Sequence, residues 1–211
     1  MKKTHYILGL LLSCQLFFAQ KEKIAVFAGA ELQPTIYKYQ PAAHIHVRSY
    51  LNDRISLGGA VSFTSKKYSE NFGYPADRTR SNHIILNVLA QNDFINTEKI
   101  VLSTYLSTGV YFLSLVNPDE RTTATSYNEV EGIWLVNEYE VPKKLSRDIF
   151  YNVQGGLDFS FKLATITEDE IGIYLTSRAA YQFVFGKGDF INGNQFTKPV
   201  FSLGVTFKGN K

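Results

Sequence analysis

The sequence is poor in cysteine, since Cys14 is the only one among 211 residues. Removal of an N-terminal leader would leave none, which excludes a disulfide framework and a thiolate metal site. An excess of charge of one sign is lacking as well, because 22 Lys and Arg residues face 19 Asp and Glu residues and the formal net charge is only +3. Such a chain lacks the basic surface of a nucleic-acid-binding protein. It also lacks a linker, a low-complexity tract and an internal repeat, so one domain is expected.

The N-terminus has the pattern of a secretory signal. Lys2 and Lys3 precede an apolar stretch that begins at Tyr6 and continues to Ala19. The stretch is too short to span a bilayer, which needs about 20 apolar residues. We expect residues 1–20 to be a signal peptide and residues 21–211 to be the exported domain, with a net charge of +1 after the loss of Lys2 and Lys3. An alternative is a lipoprotein, because Leu11-Leu12-Ser13-Cys14 resembles a lipobox.

From Ile24 onward, apolar residues recur at every second position, which indicates strands with one apolar face. In the last segment, for example, Phe201, Leu203, Val205 and Phe207 alternate with small or polar residues. Eight such segments are predicted, at about 24–33, 44–51, 54–66, 81–91, 99–116, 149–163, 170–185 and 199–207.

The composition of the face opposite the apolar one distinguishes two kinds of barrel. A soluble, lipocalin-like barrel has the same period with its apolar face inside, and its outer face should carry many Lys and Glu side chains. Here the second face is mostly Gly, Ser, Thr, Ala, Asn and Gln, which suits a narrow barrel interior. The apolar face is aromatic-rich and nearly free of charge, which is typical of lipid contact with aromatic girdles at both interfaces.

The predicted connections alternate in length. The first, third, fifth and seventh are the longer ones (34–43, 67–80, 117–148 and 186–198), and the intervening ones are short (52–53, 92–98 and 164–169). Outer-membrane barrels alternate in this way between long extracellular loops and short periplasmic turns. The sequence therefore predicts an all-β fold, a closed antiparallel up-and-down eight-stranded transmembrane β-barrel with both termini in the periplasm. Closure is required because unpaired backbone groups in hydrocarbon cost several kcal/mol each.

In these features the chain resembles the small eight-stranded outer-membrane barrels, a group that includes OmpX/Ail-like, OmpW-like and OmpA-type domains. The resemblance covers nearly all of residues 24–207, and its most specific part is the last strand, Phe201-Ser202-Leu203-Gly204-Val205-Thr206-Phe207. It implies an outer-membrane location and recognition by the barrel-assembly machinery. The chain departs from the pattern because Lys208-Gly209-Asn210-Lys211 follow the final aromatic residue.

Five charged residues are assigned to the inner face: Glu31, Arg48, Asp158, Lys162 and Arg178. Because the signs nearly balance, we expect a salt-bridged network that fills the barrel. The alternative is a gated ion path. His44 and His46, at a spacing that two metal ligands can use, have no evident third partner, so no metal site is assigned. No His follows His83, which removes the His-x-Ser arrangement of lipid A deacylases, and neither a catalytic site nor a cofactor is predicted.

The connection 117–148 is the most unusual segment. Its centre, Ile133-Trp134-Leu135-Val136, is flanked by acidic residues and has the pattern of a strand. One interpretation is a hairpin that continues the fifth and sixth strands above the membrane. The other makes Trp134, with Ile133 and Leu135, a contact site for a partner.

The expected function is therefore that of a non-enzymatic barrel with a filled polar interior, whose loops serve surface structure or bind an extracellular protein or polysaccharide. Its other expected partners are outer-membrane lipid, lipopolysaccharide and the assembly machinery. The alternative function is a small transport or lipid-handling barrel, with a narrow pore or a carrier site for hydrophobic solutes.

Overall fold

The computed structural model describes residues 23–130, 133–166 and 171–209. Its eight antiparallel strands are β1 (Ile24–Pro34), β2 (Tyr39–Tyr50), β3 (Ile55–Tyr68), β4 (Thr79–Asn96), β5 (Ile100–Val130), β6 (Ile133–Ile166), β7 (Ile171–Phe185) and β8 (Lys198–Gly209). Each strand pairs with the next along the chain, and β1 pairs with β8, so the sheet closes on itself. The predicted closed up-and-down eight-stranded barrel is confirmed. The predicted signal peptide, with Cys14, lies outside the described residues.

The described part of the chain holds no helix that is long and apolar enough to cross a membrane. Its one helical element is a 3-10 turn, Gly193–Phe196, in the connection between β7 and β8.

The barrel is polar inside and apolar outside. Leu106, Val88 and Leu203 are 62%, 57% and 58% exposed, whereas charged and amide side chains such as Glu31 and Gln182 are almost wholly buried. The alternation in the sequence produces this arrangement because successive side chains of a strand point to opposite faces of the sheet. An apolar belt around a polar interior is the arrangement of a membrane-spanning barrel of the outer-membrane type.

Outward-facing aromatic side chains lie toward both ends of the barrel. Near the chain termini are Phe94, Phe159, Phe161 and Phe207, and toward the opposite end are Tyr39, Phe63, Tyr151, Tyr181, Phe183 and Phe185. Tyr181 and Phe183 contact each other, with ring centroids 4.8 Å apart. These positions correspond to the two interfaces at which such barrels carry aromatic girdles.

Strand β2 begins earlier than the sequence suggested, at Tyr39, so the first connection comprises only residues 35–38. The strand runs through Pro41, which is paired with Leu32 of β1. The Pro41 carbonyl accepts a hydrogen bond from Thr64 of β3, so this residue's backbone polar groups face β3. Backbone pairing between β2 and β3 begins only at Ala43. The N–H that Pro41 lacks would therefore have had no ladder partner on β3.

The predicted connection 117–148 is a hairpin in which β5 and β6 continue beyond the barrel wall. This agrees with the first of the two interpretations of that segment. Pairing extends from Arg121 with Pro142 up to Val130 with Ile133. Residues 118–120 have no partner on β6, so a bulge separates this upper hairpin, formed by residues 121–130 and 133–142, from the barrel wall. Ten paired residues at about 3.3 Å each make it roughly 33 Å long.

The connections sort to two ends. Residues 51–54 and 97–99, together with the strand ends Ile166 and Ile171, lie on the side of both barrel termini, which we call the terminal end. The connections 35–38, 69–78 and 186–197, and the upper hairpin, lie at the opposite end, which we call the loop end.

Candidate functional site: the filled barrel and its outer hairpin

The structure places four of the five predicted interior charges inside the barrel. Glu31 and Asp158 are each 1% exposed, and Arg48 and Arg178 are each 4% exposed. The fifth, Lys162, faces inward near the terminal end and is half-buried. Among the described ion pairs, Lys162 joins none with the other four.

Arg178 and Asp158 form the shortest pair of the interior. The guanidinium of Arg178 donates to both carboxylate oxygens of Asp158, through Nε at 2.6 Å and through Nη2 at 2.7 Å. The two residues are direct cross-strand partners on β7 and β6, which accounts for the two-point geometry. The guanidinium also lies 3.9 Å from the ring centroid of Tyr105 on β5. The Arg178 side chain therefore contacts residues of both β6 and β5 inside the barrel.

Glu31 is enclosed by hydroxyl and imidazole groups. Ser62 and Ser202 each donate a hydrogen bond to its carboxylate at 3.1 Å. His44 Nδ1 lies 2.6 Å from Ser62 Oγ and 3.7 Å from Glu31 Oε2. These contacts join β1, β2, β3 and β8 around one acidic side chain, so the barrel wall supplies hydrogen-bond partners to this buried group.

A third interior group was missed in the sequence. Asp93 of β4 is wholly buried, accepts a hydrogen bond from Tyr50 Oη at 2.7 Å, and lies 3.3 Å from Lys208 Nζ and 4.0 Å from Arg48 Nη1. Ser103 Oγ donates to it at 2.8 Å. The prediction ended β4 at residue 91 and β8 at residue 207, which assigned Asp93 to a turn and Lys208 to a tail. Extending the alternation by two residues on β4 and one on β8 would have placed both inside.

The loop end is closed by an apolar cluster, which we call the plug. Its buried members are Ile36, Ile85, Tyr111, Leu113, Phe150, Val184, Ile191 and Phe196. Three of these side chains, Ile36, Ile191 and Phe196, come from connections rather than from barrel strands. Phe196 is fully buried and stacks on Tyr111 with centroids 5.0 Å apart. The alternation of strand residues carries no information on side chains in the connections, so the plug was not predicted.

Loop residues outside the plug also contact one another. Tyr37 Oη donates a 2.8 Å hydrogen bond to Glu70, which joins connection 35–38 to connection 69–78. This bond raises the pKa of Tyr37 above its usual value of 10. The Tyr37 ring stacks on Phe72, which has a positive φ of 53°. Beside them is a groove of about 580 Å³ that Glu70 and Asp77 also line.

The upper hairpin leaves two strand edges without a neighbour among the described residues. β5 pairs with β4 only as far as Val116, and β6 pairs with β7 only from Tyr151 onward. The base of the hairpin is fixed by ion pairs of Arg78 with Asp119 and of Lys143 with Glu120. Above them, Tyr127 and Val136 are 65% and 56% exposed.

The predicted contact residues lie at the tip of the hairpin. The backbones of Ile133, Trp134 and Leu135 pair with those of Val130, Glu129 and Asn128. Their side chains lie outside the described part of the structure. A contact between Trp134 and a partner therefore stays a prediction.

The histidines at spacing two lie together inside the barrel. His46 Nδ1 is 3.5 Å from His44 Nε2, and the His46 ring stacks on Phe27 at 4.8 Å. In the residues that the structure describes, no group of three His, Cys, Asp or Glu side chains lies close enough to hold a metal ion.

Comparisons with known proteins concern the barrel as a whole. Neither a protein-family model nor a curated protein sequence matches the chain. Among solved structures, the chain is similar to Neisserial surface protein A, with 10% identity over 90% of this chain and 96% of that chain, and a TM-score of 0.43. It is also similar to Ail, the attachment invasion locus protein of Yersinia pestis, in two structures. In the complex with the heparin analogue sucrose octasulfate, the identity is 12% over 88% of this chain and 95% of that chain, with a TM-score of 0.40. In the structure of Ail in a phospholipid bilayer nanodisc, the identity is 11% over 88% of this chain and 98% of that chain, with a TM-score of 0.41.

The predicted resemblance to small eight-stranded outer-membrane barrels is confirmed for the fold. The strand order and the closed pairing of this chain carry that conclusion by themselves.

Proposed function

We propose that this protein is a non-enzymatic outer-membrane barrel whose upper hairpin binds an extended segment of an extracellular polypeptide by strand addition. The observation that carries the proposal is the free edge of β5 above Val116. An unpaired strand edge presents a row of N–H and C=O groups that a further strand can pair with.

The two edges of the hairpin differ in chemistry. On β5, residues 122–127 (Thr-Thr-Ala-Thr-Ser-Tyr) carry neither charge nor proline, and Pro118, Asp119, Glu120 and Arg121 lie below them at the hairpin base. On β6, the residues paired with 122–127 include Glu138 and Glu140, and Pro142, Lys143 and Lys144 follow. Charges and proline on an edge discourage pairing with another chain. The β5 edge is therefore the docking edge, and the β6 edge is protected.

The membrane fixes the direction of this edge. Two copies in one membrane would present their β5 strands in parallel, because every barrel has the same orientation. An extended segment from another molecule is free to approach in the antiparallel direction, in which strand pairing is slightly more stable per residue. This favours a different polypeptide as the partner.

A filled interior supports a surface role over transport. The Asp93 group, the Arg178–Asp158 pair and the plug occupy the interior from the terminal end to the loop end. Narrow eight-stranded barrels have interiors that side chains fill. Single-channel steps above background for the purified protein in planar bilayers would favour the alternative, a transport barrel.

Photo-crosslinking tests the docking edge directly. A photoreactive residue is placed at Thr125 on β5 or at Glu138, its cross-strand partner on β6, in cells that display the protein. The proposal expects polypeptide adducts from position 125, few from position 138, and a loss of adducts when Thr123 is replaced by Lys. Equal adducts from both positions, or none from 125, would contradict strand addition at β5.

Deletion of residues 130–139 provides the control for assembly. The hairpin stands outside the closed barrel, so the shortened protein should still assemble and keep heat-modifiable migration on gels. Its crosslinks should disappear.

A further inference from the structure

We propose that Asp148, Asp189 and their neighbours at the loop end form a binding site for a hard divalent cation, with Ca²⁺ as the best fit. The site is independent of the hairpin edge. It would fix the connection between β7 and β8 over the mouth of the barrel.

Asp148 is a buried carboxylate with one oxygen that has no partner. It lies on the inner face of β6, opposite Leu113 of the plug, and is 5% exposed. Its Oδ1 accepts a hydrogen bond from the Asp189 backbone N–H at 2.9 Å. Its Oδ2 is buried without a hydrogen-bond partner. A buried carboxylate oxygen without a donor is costly, and a bound cation is one of the groups that can satisfy it.

Three other oxygen-bearing groups lie in the neighbourhood of the Asp148 carboxylate. A Cβ added to Gly188 would lie 2.5 Å from Asp148 Oδ2 and 2.5 Å from the Ile191 carbonyl oxygen, so both oxygens lie beside this glycine, whose N–H donates a hydrogen bond to the Ile191 carbonyl. Asp189 adds a second carboxylate, and Ser146 Oγ lies 3.3 Å from Asp189 Oδ2. The set comprises two carboxylates, one hydroxyl and one carbonyl.

The charge at this site is uncompensated. No ion pair of the described residues includes Asp148 or Asp189. Elsewhere in the interior, Asp93 forms an ion pair with Lys208 and Asp158 forms one with Arg178. Two adjacent carboxylates without a cation repel each other. A divalent ion bound to both would replace this repulsion with attraction to the ion.

Carboxylate, hydroxyl and carbonyl oxygens favour hard divalent cations, and Ca²⁺ in particular. Ca²⁺ takes carboxylate, hydroxyl and backbone carbonyl oxygens at 2.3–2.6 Å, together with water, in flexible geometry. Mg²⁺ demands stricter octahedral geometry and gives up its own water reluctantly. The site has no nitrogen or sulfur ligand for zinc. Asp189 is exposed, so an ion can reach the site from the medium.

A cation here would act on the plug. Gly188 and Asp189 precede Ile191 and Phe196 in the same connection, and both of these side chains belong to the plug. Holding the connection at Asp148 would therefore hold the apolar closure in place. Removal of the ion would loosen the loop end while the barrel wall stayed paired.

Equilibrium dialysis with ⁴⁵Ca²⁺ on the detergent-folded full chain tests the site. We expect one Ca²⁺ bound per chain in the wild type, none in Asp148→Asn, and one in Asp77→Asn, which removes a carboxylate of the neighbouring connection. Wild-type protein without bound Ca²⁺, or Asp148→Asn with unchanged binding, would overturn the proposal.

Thermal unfolding supplies a second readout. Ca²⁺ should raise the Tm of the wild type above its value in EDTA and leave the Tm of Asp148→Asn unchanged. In EDTA the Tm of Asp148→Asn should equal or exceed that of the wild type, because one of two repelling carboxylates is gone. A variant that unfolds earlier than the wild type in EDTA, with no difference between EDTA and Ca²⁺ for either protein, would mean that Asp148 has only a structural role.

Discussion

The guanidinium of Arg178 donates two hydrogen bonds to the carboxylate of Asp158 across neighbouring strands, with both side chains more than nine-tenths buried. This contact lies in the lumen rather than in the barrel wall, and it ties β6 to β7 where lipid cannot reach. Buried pairs of this kind are sensitive to the loss of one partner, since the other is then an uncompensated charge.

Replacement of one partner should strongly destabilise the barrel. We expect Asp158→Asn or Arg178→Gln to lower the free energy of unfolding by about 3–5 kcal/mol. The double variant should lose less than the sum of the two single losses. Urea unfolding of protein folded into lipid vesicles measures these values. Arg78→Gln removes an exposed pair at the hairpin base and serves as the control, with little change expected. Additive losses in the double variant would show that the pair does not act as a unit.

Phe27 covers the seam at which the barrel closes. A Cβ added to Gly29 of β1 or to Gly204 of β8 would lie 2.7 Å or 2.8 Å from Cζ of Phe27, so the ring packs over this glycine pair. Phe27→Ala should leave a cavity there and cost about 3–5 kcal/mol, again measured by urea unfolding in vesicles. Phe207 lies near the same seam but faces lipid, so Phe207→Ala should cost less. Similar losses for both variants would argue against a sealing role for Phe27.

Truncation of the plug should weaken the loop end without opening a pore. Phe196→Ala removes a fully buried ring that stacks on Tyr111, and we expect a loss of about 3–5 kcal/mol. The ionic groups of the interior lie nearer the terminal end, so conductance in planar bilayers should stay at background. Single-channel steps in Phe196→Ala but not in the wild type would mean that the plug alone closes the barrel.

The contact between Tyr37 and Glu70 should depend on pH in the alkaline range. The folded-state pKa of Tyr37 is raised above 10 by the hydrogen bond to Glu70. The stabilising contribution is therefore fully present below pH 10 and is lost as the pH rises through the folded-state pKa. Spectrophotometric or NMR titration of Tyr37 measures the shift. Glu70→Gln should move the pKa back toward 10, and Glu98→Gln, at the terminal end, should leave it unchanged. An unaltered pKa in Glu70→Gln would contradict the assignment.

Much of the barrel could be predicted from local patterns. A period of two in residues such as 199–207 reports which face of a strand is apolar, and the small polar residues of the other face report a narrow interior. Strand ends were less predictable. The predicted connection 34–43 contains Pro41, yet β2 runs through this residue because its edge toward β3 has no backbone partner there. The short apolar strand in 133–136 was consistent with both a hairpin and a contact site.

Which residues meet across the lumen could not be predicted in the same way. Asp93 and Lys208 are 115 positions apart, and their contact depends on closure between β8 and β1 and on the register of every strand between them. The plug depends on connections that fold back into the barrel mouth. The cluster around Asp148 likewise requires the connection between β7 and β8 to lie against β6.

The sequence by itself therefore determined the repeated strand pattern, the number of strands and the apolar face, because these follow from the alternation of neighbouring side chains. The tertiary structure alone decided how the interior charges pair, how the mouth is closed and which hairpin edge stays free. Those features depend on register and closure, which bring together residues that are distant in the chain and that no local pattern relates.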